Sequence, residues 1–197
     1  MNLEKPKKQA KIMRNRYVFA ALFAALIAVS GFFVVPLAGG VPVVLRNLFV
    51  VLAGTVLGSF YGGLAALIFL AAGVLGIPVF VISGGPGVFL TVLGGYLIGY
   101  FFGSLCAGLI CGLPKINEKK TIGIGLAKIC IASFAGFTLI LLSGALYMMY
   151  LNSMTFKAAM IAGVYPFIPG DLLKLALAIP LALKLRPIAA RYTNPDE

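Results

Sequence analysis

Thirteen of the chain's sixteen Lys and Arg residues fall into three clusters, and the stretches between the clusters are long and apolar. Lys5, Lys7, Lys8, Lys11, Arg14 and Arg16 precede the first apolar run. Lys115, Lys119, Lys120 and Lys128 surround a central connection, and Lys184, Arg186 and Arg191 follow the last run. Multi-pass membrane proteins concentrate Lys and Arg in this way in their cytosolic segments. Composition agrees, with 61% hydrophobic and 11% charged residues against roughly 25% charged in soluble domains. The net charge of +11 therefore reports topology, not a basic face for nucleic acid. At about 20 residues per membrane helix, 197 residues hold six spans and no extramembrane domain.

The expected organisation is all-α and polytopic, with both termini cytosolic. Residues 1–16 form a basic cytosolic tail, or a short surface helix; 17–190 form the six-helix membrane domain; 191–197 form a cytosolic tail. Spans are expected near 17–35, 43–58, 64–76, 89–113, 122–151 and 169–185. The first is read as a retained span, because no small-residue cleavage site and polar mature chain follow it. Loops at 36–42 and 77–87 face outside. The second is apolar and Gly-rich, which suits a lid over a membrane cavity or a plain re-entrant turn. Residues 152–157 are also outside, with a short amphipathic piece reaching Tyr165.

Two small-residue patterns bear on packing. Gly95, Gly99 and Gly103 recur every four residues on the fourth span, a ridge on which another helix can approach closely. The first span carries Ala20, Ala24 and Ala28 at the same interval, with Ala21 and Ala25 beside them. That stripe serves either a neighbour within the chain or a different membrane subunit.

Once the cytosolic cations are set aside, Arg46, Lys157, Asp171 and Lys174 remain. Lys157 can face outside water. Asp171 and Lys174 are three residues apart at the head of the last apolar run, so they share a helix face. Ionisable residues inside membrane helices are costly and mark functional sites by default. Arg46 lies at the outer end of the second span, where it can meet the pair in an outward-facing cavity. Their sum of +1 suits a ligand with one carboxylate, which is expected on Lys174 or on Arg46, the latter a good bidentate partner. A structural ion pair fastening two spans is the alternative. The chain has no His and no phosphate-binding loop. Gly123-Ile-Gly125 lacks the strand context of a dinucleotide site. Cys106, Cys111 and Cys130 lack metal-ligand spacing. Neither catalysis nor a metal or other cofactor is expected. A membrane enzyme using Asp171 and Lys174 for proton exchange, and an assembly protein without ligand, are the rivals.

At Pro166-Phe167-Ile168-Pro169-Gly170-Asp171-Leu172-Leu173-Lys174 the chain resembles the biotin-specific S components (BioY family) of energy-coupling-factor (ECF) transporters. Similar blocks are Leu48–Gly54, Gly76–Phe80 and Gly94–Gly99, and the likeness extends from about residue 17 to 190. It implies a six-helix subunit in the cell membrane that captures biotin from outside. Such a subunit docks on a T-component membrane subunit that carries two cytosolic ATPases. The resemblance further implies that Asp171 and Lys174 bind the ligand, the aspartate accepting from ureido N–H groups. Asn47, Phe80 and Tyr96 join Arg46 as further substrate-binding candidates, and the first-helix alanines form the T-component contact. The chain departs from the family at Pro42-Val43-Val44-Leu45-Arg46-Asn47 and Thr91-Val92-Leu93. There Val44, Arg46 and Leu93 replace neutral polar residues, which favours an apolar body with an anionic tail. Biotin is the first expectation; lipoate or another medium-chain carboxylate is the second.

Overall fold

The computed structural model describes residues 4–36, 42–80, 84–116 and 122–193. Its elements are α1 (Glu4–Ser30), a short antiparallel ribbon of β1 (Val34–Pro36) and β2 (Pro42–Val44), then α2 (Arg46–Leu57) and α3 (Ser59–Val74). A 3-10 turn at Pro86–Leu90 leads into α4 (Leu93–Cys111). There follow α5 (Ile122–Leu151), α6 (Phe156–Gly163), a 3-10 turn at Tyr165–Phe167 and α7 (Ile168–Thr193). In the ribbon Val34 faces Val44 and Val35 faces Val43.

Four segments, Lys7–Ser30, Leu93–Cys111, Gly125–Leu151 and Phe156–Thr193, are long and apolar enough to cross a membrane. In lipid the backbone must satisfy its own polar groups, which is why apolar runs of this length become helices. The helices α2 and α3 are shorter. At about 1.5 Å per residue, the 12 residues of α2 reach roughly 18 Å, well under a hydrocarbon core of about 30 Å. The second span expected at 43–58 thus divides into the end of the ribbon and a helix that begins at Arg46. The basic stretch expected as a tail is helical from Glu4 and continuous with the first span. The expected Gly39-Gly40 turn, residues 81–83 of the expected outer loop and most of the central basic connection lie outside the described residues.

Ten of the twelve residues of α2 are buried, which makes it the axis of the bundle. The helices α1, α3, α4, α5 and α7 all pack against it. The turn into α3 is made at Gly58 with φ +82°, a left-handed conformation that glycine adopts without steric cost. The α4–α5 seam follows the glycine ridge as expected. A Cβ on Gly99 would sit 3.0 Å from Cα of Ile140, and one on Gly103 would sit 2.9 Å from the Gly136 carbonyl oxygen. Ser143 on α5 also donates to the Gly95 carbonyl at 2.8 Å.

The alanine stripe divides. Ala20 is fully buried and Ala24 is 5% exposed; both belong to the hydrophobic core, and α1 packs on α2, α3 and α7. Ala28 is half-buried, whereas Ala21 and Ala25 are exposed. Adjacent positions on a helix differ by about 100° in direction, so the two ridges cannot face the same partner. Ala20 and Ala24 are internal contacts, which corrects their reading as a docking surface.

The two ends of the chain meet. Asn15 donates to the Tyr192 carbonyl at 3.0 Å, and Arg16 donates to the Thr193 carbonyl at 2.7 Å. Arg186, read in sequence as a cytosolic marker, is 2% exposed. Its guanidinium donates to the carbonyls of Thr55, Cys111, Gly112 and Leu113. Helix C-termini leave carbonyls without intrahelical partners, and Arg186 gathers those of α2 and α4 onto α7.

Candidate binding site

At the end of the bundle opposite the termini, α2 and α7 both begin, and each brings charge inward. Asp171 lies in the first turn of α7, where the helix dipole favours a carboxylate. Lys174 follows one turn later on the same face and is ion-paired with Asp171 Oδ1; both are buried. The second carboxylate oxygen, Oδ2, is buried without a hydrogen-bond partner among the described residues. Removing either member of such a pair would leave an uncompensated buried charge, so the two residues belong together energetically.

Arg46, the first residue of α2, is 4% exposed. One Nη donates to the Val79 carbonyl at 2.7 Å, and the guanidinium carbon lies 5.1 Å from the centre of the Phe69 ring. The group packs so tightly on Gly31 that a Cβ there would overlap it. Its Nε is buried without a hydrogen-bond partner among the described residues. Arg46 forms no ion pair with Asp171 among the described residues. Tyr100 on α4 is buried and lies within electrostatic range of both the guanidinium and the carboxylate.

The other expected residues surround these. Tyr96, one turn before Tyr100, donates to the Gly163 carbonyl at 2.6 Å. Its ring lies over Gly144, where a Cβ would collide with it, and 6.1 Å from the Phe167 ring. Phe80 is buried, with its ring against Gly73. It stands edge-on to Phe69 at 5.5 Å and to Phe89 at 6.5 Å between centroids. So Phe80 supports the aromatic that Arg46 covers. Asn47 is half-buried, and its side chain bonds to none of the described residues. Lys157 is exposed, as expected.

Sequence reasoning missed Tyr100, Phe69 and Gly31. Only Tyr100 left a signal: two tyrosines four apart on an apolar helix share one face. Chemically the site offers a carboxylate acceptor, ammonium and guanidinium donors, and two tyrosines amid aromatic surface. That inventory suits a small ligand with an apolar body and polar ends.

The BioY family profile matches residues 5–191. The chain belongs to the BioY family. Among its relatives, Biotin transporter BioY of Rhodobacter capsulatus is 34% identical over 175 residues, covering 84% of this chain and 90% of the relative. Biotin transporter BioY of Thermotoga maritima is 34% identical over 176 residues, covering 88% and 97%. A probable biotin transporter BioY of Pyrococcus horikoshii is 38% identical over 167 residues, covering 84% and 93%. The crystal structure of the S-component for biotin from an ECF-type ABC transporter superposes with a TM-score of 0.72 at 27% identity, covering 94% of both chains. Membership in BioY and the apolar helices make this a multi-pass membrane protein of a transporter family.

Proposed function

We propose that the chain is the substrate-binding subunit of an ECF-type ABC transporter and captures biotin from outside the cell. The observation that carries this reading is the buried Asp171–Lys174 pair at the start of α7, one of whose oxygens lacks a partner, in a BioY family member. The ureido ring of biotin presents two N–H donors and a carbonyl. Asp171 accepts from the N–H groups, and Lys174 stays beside the carboxylate and can donate to the carbonyl. Tyr96 and Phe80 shape the apolar surroundings, and Asn47 supplies a further polar contact.

In this reading the protein crosses the cell membrane six times, α2 and α3 making the two short crossings. Both termini are cytosolic, in line with the basic clusters and the contact between chain ends. The subunit performs no chemistry. Two cytosolic ATPases on a separate T component supply the energy, and the exposed ridge of Ala21 and Ala25 is where that component docks.

Arg46, Val44 and Leu93 favour a second ligand, lipoate, which has an apolar body and a carboxylate but no ureido ring. Isothermal titration of the purified full-length subunit with biotin and with lipoate tests the proposal. Saturable biotin binding, tighter than lipoate binding, is expected. Preference for lipoate would replace the substrate, and binding of neither would remove the capture role.

A further inference from the structure

The buried charges at the binding end do not cancel. Asp171 neutralises Lys174, and Arg46 is left as a third buried charge. Arg186, the remaining buried cation among the described residues, belongs to the opposite end and is engaged by backbone carbonyls. Arg46 is surrounded by groups that carry no formal negative charge: the Val79 carbonyl, the Phe69 ring face, the Tyr100 phenol and Gly31. These offset only part of the cost of removing a guanidinium from water. Arginine stays protonated under all physiological conditions, so the charge cannot be shed by titration. The imbalance has a direction. One negative charge is needed beside Arg46, whose buried Nε has no partner among the described residues.

We infer that Arg46 is the anion anchor of this site and that the protein takes its ligand as a monoanion with a free carboxylate. This rests on the capture function proposed above and specifies the charge class of its ligand. The carboxylate engages Arg46, while the neutral hydrogen-bonding end of the ligand lies on the Asp171–Lys174 pair. Tyr100 lies in interaction range of both Arg46 and Asp171, and among the described residues Asp171 pairs with Lys174, not with Arg46. An ester or primary amide brings no charge and leaves the guanidinium uncompensated. A dicarboxylate places a second anion near Asp171, where like charges repel.

The test is titration calorimetry on the full-length protein with two matched pairs, biotin against biotinamide and lipoate against lipoamide. Wild type is expected to bind each acid about 10- to 100-fold more tightly than its amide, the range for losing a hydrogen bond to a charged group. Arg46→Gln should bring acid and amide within about threefold, mainly by weakening the acid, and Arg46→Lys should restore part of the preference. Equal binding of acid and amide by wild type overturns the anchor and leaves capture standing; this comparison needs no variant to fold. A parallel loss for both ligands in Arg46→Gln, with the ratio preserved, overturns it too and makes Arg46 structural. Failure of wild type to bind either acid overturns the capture function and the anchor together.

Discussion

Two adjacent alanines of α1 should respond oppositely to the same substitution. Ala24 is 5% exposed and lies one turn beyond the fully buried Ala20, both within the hydrophobic core. A leucine at 24 forces a branched side chain into a contact fitted to a methyl group. Such overpacking costs about 1–3 kcal/mol, or roughly 5- to 150-fold in the folded population. Ala25 is exposed, and the same leucine there meets lipid at a cost within about 0.5 kcal/mol. Thermal unfolding of purified protein in detergent, followed by size-exclusion fluorescence, reads the difference directly. Ala24→Leu should unfold several degrees lower and bind less ligand. Ala25→Leu should unfold and bind like wild type, yet reduce uptake in cells that hold the T component and ATPases. A thermally unchanged Ala24→Leu would refute the inward assignment of that ridge. Normal uptake by Ala25→Leu would remove Ala21 and Ala25 as the docking face.

Arg186→Ala removes the donors for four carbonyls on α2, α4 and the segment after α4. It should cost at least about 1–3 kcal/mol in unfolding measurements, the penalty for a buried carbonyl left unpaired; Arg186→Lys should recover only part, because one ammonium cannot span all four. Gly103→Ala should destabilise the protein although alanine gains about 1 kcal/mol in helix propensity. The added Cβ would meet Ile140 Cγ1 at 2.8 Å and the Gly136 carbonyl at 2.9 Å; a raised melting temperature would contradict this seam.

The features legible in sequence are those expressed locally. Apolar length and cation clustering reveal a membrane protein because the bilayer imposes both. The spacing of Gly95, Gly99 and Gly103 reveals the α4–α5 seam because close approach requires small residues in register. Asp171 and Lys174 are visible as a pair because they lie one turn apart on one helix. Which alanine ridge faces inward was not legible, since lipid is as apolar as the protein interior and hydrophobicity then carries no sign. The surroundings of Arg46 were hidden for a different reason. Phe69, Val79 and Tyr100 reach it from distant parts of the chain, and one contact is a backbone carbonyl, which no residue type announces. The role of Arg186 was hidden because the charge rule sees a cation near a span but not the helix ends it turns back to cap. The ribbon before α2 escaped because its valines read equally well as the start of a span.

The proposed capture of biotin turns on Asp171 meeting a ureido ligand, and the most direct measurement is the affinity of purified wild type and Asp171→Asn for biotin, with lipoate in parallel. Asparagine keeps the shape but loses the charge, so the N–H contacts weaken by about 1.5–3 kcal/mol. Biotin binding should fall by about 10- to 100-fold, and lipoate binding much less. Equal losses for the two ligands, or biotin affinity unchanged in Asp171→Asn, would contradict it.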